Sequence, residues 1–148
     1  MKTFLFPGQG SQRKRMGKDL FDRYPPLLTS AKDILGYDVA TLCLEDPDQL
    51  LNETLYTQPA LYIVNVLSYL DRSASEPAPD IVMGHSLGEY AALFAAGAFS
   101  FEAGLQLVYG LQPGEQHVEL ELADHADDPV CPDRRVEDLG HPLLGHVI

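Results

Sequence analysis

The sequence has no tryptophan, only two cysteines, and 10 basic side chains against 22 acidic ones in 148 residues. Each shortage removes a class of protein. Cys43 and Cys131 stand far apart, in none of the spacings of a metal knuckle, a redox pair or a disulfide framework. Cys43 lies among apolar residues and is expected as a buried thiol. A formal net charge of −12 argues against nucleic acid or an anionic membrane surface as a partner. No segment approaches the roughly 20 apolar residues of a membrane span. The N-terminal apolar run is too short for a signal peptide. A protein of the reducing cytoplasm is expected.

What is present is the composition of a folded domain, 45% apolar and 22% charged. The length suits one domain with its own core, or part of a larger one. Charge is unevenly placed: residues 1–110 carry 8 basic and 13 acidic side chains, and residues 111–148 carry 2 and 9. The second stretch contains Pro113-Gly114 and scattered histidines, with only Val118, Leu120 and Leu122 alternating as a short strand would. The expectation is one domain over 1–110 and an acidic, divergent, weakly ordered tail over 111–148.

Thr3–Phe6 reads as a short buried strand, stopped by Pro7 and the glycines after it. Helices are expected over Met16–Tyr24, ended by Pro25-Pro26, and over Leu27–Leu35, ended by Gly36. Short helical pieces follow around Asp46-Pro47. Thr57 is expected to cap a helix with Pro59 in its first turn, and Leu61–Leu70 is apolar nearly all round, as a buried helix is. Residues 73–79 form a loop into a strand at Ile81. A small-residue helix over Tyr90–Ala96 comes next, then Ser100 capping a helix over Phe101–Val108. Short buried strands interleaved with helices give an α/β fold built on a parallel sheet.

Between the second strand and the small-residue helix stands Gly84-His85-Ser86-Leu87-Gly88. Strand, sharp turn with a serine, then helix is the setting that gives a G-x-S-x-G pattern its meaning. The glycines allow a tight turn and close approach, and the serine Oγ comes near the positive end of the helix. That suits a nucleophile attacking an acyl group. A glycine-bounded turn with an incidental serine is the plain alternative. A second glycine-rich segment, Phe6-Pro7-Gly8-Gln9-Gly10-Ser11-Gln12, follows the first strand. As a dinucleotide loop it fails, because the third glycine would fall at Arg13. A loop at the carboxyl end of a central strand can instead present N–H groups to a developing oxyanion.

FPGQGSQ at 6–12, TQPAL at 57–61 and GHSLGEY at 84–90 occur in that order. Together they resemble the malonyl-CoA:acyl-carrier-protein acyltransferase family, and within it the stand-alone enzymes that load polyketide synthases in trans. The resemblance runs from residue 3 to about 108. It implies part of an α/β-hydrolase-like acyltransferase core with a parallel sheet. It implies Ser86 as the nucleophile, taking the acyl group from coenzyme A as an ester. Gln9 and Leu87 match the residues whose N–H groups form the oxyanion hole. Gln58 matches a glutamine lining the active site, and His85 helps to shape the acyl pocket without acting as the base. The implied partners are malonyl-CoA or a related acyl-CoA and an acyl carrier protein, whose phosphopantetheine thiol receives the group. Such a ping-pong transfer needs no metal and no cofactor beyond the thioester substrate.

The chain also departs from that pattern. The family's carboxylate-binding arginine aligns with Leu111, and leucine cannot pair with a carboxylate. This puts a preference for a dicarboxylic acyl unit in question. The family's ferredoxin-like subdomain and general-base histidine would fall beyond Ile148, so an impaired enzyme is expected. His117, His125, His141 and His146 lie in the acidic tail, with no platform to hold a base, and read as solvated. His117, Glu119, Glu121 and His125 match no zinc spacing, so no metal site is expected. Two other readings remain. An α/β-hydrolase thioesterase shares the serine motif but needs Ser…Asp…His in order and leaves FPGQGSQ and TQPAL unexplained. A non-catalytic fragment that docks a carrier protein or synthase would need neither the arginine nor the histidine.

Overall fold

Two short parallel strands and five α-helices make up residues 1–110, the residues that this computed structural model describes. The expectations for the tail, its histidines and Leu111 lie outside the described residues. β1 (Thr3–Phe6) pairs with β2 (Ile81–Gly84), with Thr3 opposite Ile81 and Phe6 opposite Gly84. Parallel pairing requires a long crossover, and residues 7–80 provide it. Lys2 ties the start of β1 to the approach of β2. Its N–H donates to Asp80 Oδ2 at 2.5 Å, and its ammonium reaches Glu76 at 2.7 Å and the Pro77 carbonyl at 2.8 Å.

The crossover departs from the sequence reading in three places. Over Met16–Tyr24 the chain forms turns and a single 3-10 turn at Phe21–Arg23 rather than an α-helix. Arg15 and Gly17 have φ of +69° and +73°, and left-handed residues cannot continue a right-handed helix. α1 (Pro25–Leu35) starts at Pro25, because the two prolines occupy its first turn, where no N–H is needed. Its end at Gly36, with φ +76°, is as expected. α2 (Val39–Glu45) follows, with Asp38 accepting from the Thr41 N–H at 2.9 Å. α3 (Thr54–Ser73) begins a turn earlier than expected, so Thr57 lies inside it. The Thr57 hydroxyl is buried 2.6 Å from the Leu51 carbonyl and 2.9 Å from that of Glu53. It therefore pins the preceding 3-10 segment, Pro47–Asn52, to the helix.

α3 is the spine of the molecule, and its apolar sides are buried as its composition requires. Its Tyr69 ring meets Phe4, Phe6 and Phe94 at centroid distances of 6.0, 6.2 and 6.2 Å. One residue thus joins helix, sheet and α4 (Gly88–Ala95). α5 (Phe101–Gly110) packs against α1, α3 and α4, and Ser100 Oγ accepts from the Ala103 N–H at 3.1 Å, the expected cap. Tyr62 stacks on Phe101 at 5.9 Å and donates to its carbonyl at 3.1 Å. Burial raises the pKa of that phenol well above its ordinary value. The Cys43 thiol is buried too, and burial pushes its pKa up to about 12. No helix among the described residues is long and apolar enough to cross a membrane.

Thr57→Val takes the hydroxyl donor from the Leu51 carbonyl, whereas that of Glu53 keeps the N–H groups of Tyr56 and Thr57; the change is expected to cost about 1–2 kcal/mol in urea unfolding, and an unchanged midpoint would contradict the pinning role. The raised Cys43 pKa has a definite sign. The folded state keeps the thiol proton to about pH 12, whereas the unfolded state loses it from about pH 8.5. Stability from this group is full below the lower value and declines as pH rises between the two. At about pH 8.5, iodoacetamide followed by peptide mapping is expected to label Cys43 only after denaturation. Labelling of the native chain would contradict the burial.

Candidate active site

β2 stops at Gly84 and α4 starts at Gly88, leaving His85-Ser86-Leu87 as the turn between them. Ser86 has φ +51°, a left-handed conformation that costs a non-glycine residue roughly 1–2 kcal/mol. Three hydrogen bonds hold it there. The N–H groups of Gly88, Glu89 and Tyr90 donate to the carbonyls of His85, Ser86 and Leu87 at 2.9, 3.0 and 3.1 Å. The glycines are dictated by contact. A Cβ on Gly84 would stand 2.2 Å from the Glu89 nitrogen, and one on Gly88 would stand 2.2 Å from the Phe6 carbonyl oxygen. The first turn of α4 therefore sits flush on both strands. Leu87 faces inward, 5% exposed. Ser86 is exposed at the helix start, where N–H groups have no intrahelical partner.

The loop after β1 is packed directly on this turn. The His85 N–H donates to the Phe6 carbonyl at 3.0 Å, extending the ladder past the strand ends. A Cβ on Gly8 would lie 2.3 Å from the His85 carbonyl oxygen and 3.1 Å from Ser86 Cβ. The two glycine motifs are thus in van der Waals contact. Side chains fix the loop from within and from α3. Ser11 Oγ donates to the Gly8 carbonyl at 2.7 Å, and Gln12 Oε1 accepts from the Gly10 N–H at 2.7 Å. Asn65 Nδ2 donates to the Pro7 carbonyl at 3.0 Å, and Gln9 Nε2 donates to Thr54 Oγ1 at 3.2 Å.

Of the residues singled out by sequence, His85 and Ser86 are in this contact, and Gln9 and Leu87 are next to it in the chain. Gln9 and Leu87 each follow a contact residue, Gly8 and Ser86, so their N–H groups belong to the peptide units that flank it. Gln58 is half-buried one turn after Thr54 on the same side of α3, and the Gln9–Thr54 bond ties the start of that helix to the loop. The His85 side chain is exposed, and its part in the turn is played by its backbone. Among the described residues no imidazole or carboxylate is hydrogen-bonded to Ser86 Oγ, and no cluster of side chains is suited to hold a metal ion. The arrangement can present a hydroxyl nucleophile beside main-chain donors; proton removal needs a further group.

Two residues were missed by the sequence reading. Asn65 had a signal, an amide inside the apolar run Leu61–Leu70, where a buried polar side chain implies a partner. Thr54 had none, because a threonine at the start of a helix has many uses. Left-handed strain at Ser86 predicts a reversal of the usual order of small residues. Ser86→Gly is expected to be more stable than Ser86→Ala by about 0.5–1 kcal/mol in thermal unfolding. A more stable alanine variant would contradict the strain.

The acyl transferase domain family matches residues 3–120. The polyketide biosynthesis malonyl CoA-acyl carrier protein transacylase of Bacillus subtilis is 60% identical over 109 residues, 73% of this chain and 38% of that protein. A polyketide biosynthesis protein of Burkholderia thailandensis is 62% identical over 109 residues, 73% of this chain and 9% of that protein. The crystal structure of a malonyl CoA-acyl carrier protein transacylase from Burkholderia pseudomallei superposes with a TM-score of 0.71 at 53% identity. That match covers 72% of this chain and 37% of that one. The chain thus spans well under half the length of these relatives, and its fold is a fragment of theirs. With a strained serine turn, a glycine loop packed on it, and a match over most of its length, the chain belongs to the acyl transferase domain family.

Proposed function

We propose that this chain carries the nucleophile-bearing part of an acyltransferase that moves a malonyl-type group from coenzyme A to an acyl carrier protein, for polyketide or fatty acid synthesis. The observation that carries the reading is Ser86 at φ +51° with Gly8 packed against it. Two further supports are the name of the Bacillus subtilis relative and a solved malonyl-transacylase in complex with its type II polyketide acyl carrier protein, 40% identical with a TM-score of 0.66.

In this reading Ser86 Oγ attacks the thioester carbonyl, and the N–H groups of Gln9 and Leu87 donate to the resulting oxyanion. The C–S bond breaks and coenzyme A leaves as its thiol, with the acyl group held as an ester on Ser86. The phosphopantetheine thiol of the carrier then attacks that ester, and the Ser86 hydroxyl is restored. Gln58 and His85 border the acyl group. No step calls for a metal or a further cofactor. Among residues 1–110 no base is hydrogen-bonded to Ser86, which supports reading the isolated chain as an impaired catalyst. The free, buried Cys43 supports a cytoplasmic setting.

A second reading is favoured by one observation, the lack of a base or acid bonded to Ser86 among the described residues: a fragment that docks a carrier protein or synthase without turnover. Radiolabelled malonyl-CoA separates the two. Label is expected on Ser86 and on no other residue, with Ser86→Ala unlabelled, and acylation slower by about 10²–10⁴-fold than in the full-length Bacillus subtilis relative. No label on Ser86 after an incubation about 10⁴-fold longer than the relative needs would overturn the enzymatic reading and leave the docking one.

A further inference from the structure

Three side chains hold three consecutive peptide units in the loop after β1. Asn65 Nδ2 donates at 3.0 Å to the carbonyl of the Pro7-Gly8 unit, and Ser11 Oγ donates at 2.7 Å to that of the Gly8-Gln9 unit. Gln12 Oε1 accepts at 2.7 Å from the N–H of the Gln9-Gly10 unit. The middle unit bears the Gln9 N–H. Its peptide is trans, as are all those described, so its C=O and N–H point in opposite directions. Whatever holds the Gly8 carbonyl therefore sets the direction of the Gln9 N–H. Two donors reach that carbonyl, the Ser11 hydroxyl at 2.7 Å and the Ser11 N–H at 3.3 Å, and the hydroxyl is the firmer hold.

Among the described residues the Gln9 N–H donates to no backbone carbonyl, and neither does that of Leu87. The unit that carries the Gln9 N–H starts at Gly8, where a Cβ would lie 3.1 Å from Ser86 Cβ. A donor on the carbonyl of a peptide also polarises it, which strengthens its N–H as a donor in turn. We propose that Ser11 is a positioning residue for acyl transfer: its hydroxyl, acting through the Gly8 carbonyl, aims the Gln9 N–H at the oxyanion that forms when Ser86 attacks. This rests on reading the chain as part of an acyltransferase. Ser11 is exposed, so loss of its Oγ opens no core cavity, and its effect on the reaction is separable from folding.

The test compares the full chain with Ser11→Ala, which removes the hydroxyl, and Ser11→Thr, which keeps it, each checked for unchanged helix content by circular dichroism. The first readout is the Gln9 amide resonance in a proton–nitrogen NMR spectrum. Ser11→Ala is expected to shift it, and Ser11→Thr to leave it near its original position. The second is the rate of Ser86 ester formation over a series of radiolabelled malonyl-CoA concentrations. Ser11→Ala is expected to lower the maximal rate about tenfold with the half-saturating concentration unchanged, the mark of a contact made in the transition state. Ser11→Thr is expected to stay within about twofold of the unmodified chain. An unmoved Gln9 resonance in Ser11→Ala, an unchanged maximal rate, or an equal loss in Ser11→Thr would each overturn the proposal and leave the enzymatic reading standing. An unmodified chain that forms no ester overturns the enzymatic reading, and the Gln9 resonance then still decides whether Ser11 holds that N–H.

Discussion

Backbone lies directly on backbone where β1, β2 and α4 meet, and the candidate site depends on that approach. Gly88 stands where any Cβ would strike the Phe6 carbonyl, and Gly84 where it would strike the Glu89 amide. Gly8 completes the set by lying against His85 and Ser86. With no side chains between them, the two strand ends and the helix start share one small volume. The turn that joins them has room for Ser86 only in a left-handed conformation. The serine is thus pushed outward by the same contacts that seat the helix.

The remaining structure keeps those backbones in place. Lys2 fixes the approach of β2 to β1 through Asp80, Glu76 and Pro77. Tyr69 carries the sheet and α4 on α3, while Asn65 and Thr54 of α3 hold the loop that bears Gly8 and Gln9. As a consequence α3 positions both halves of the candidate site, while Ser86 itself comes from the turn between β2 and α4. One face of the sheet packs on α4 and on Tyr69 of α3, and Leu5 and Met83 on the opposite face are exposed among the described residues.

Much of this was legible in the sequence, because the informative patterns are local. Gly84 to Gly88 between an apolar run and a small-residue helix carried the turn, and Ser100 and Gly36 marked helix ends correctly. Proline was less informative. Pro25-Pro26 reads equally as the end of one helix or the start of the next, and only packing decides for the start. Thr57 beside Pro59 looked like a cap, yet its hydroxyl bonds backward to Leu51 inside a longer helix. Met16 and Phe21 turn inward as a helix would have them, while the left-handed residues at 15 and 17 leave no mark in the hydrophobic pattern. The contact of Gly8 with Ser86 joins residues remote in sequence, and no local pattern encodes it.

The central claim is that the nucleophilic setting of Ser86 is made by close backbone packing rather than by the serine motif alone. Gly8→Ala tests it most directly, since it inserts one methyl group where the loop touches the turn and leaves every residue of the serine motif unchanged. The measurement is the yield of Ser86 ester from radiolabelled malonyl-CoA, compared with the unmodified chain at equal helix content by circular dichroism. The account predicts loss of the ester with the helices retained. An ester yield equal to that of the unmodified chain would contradict it.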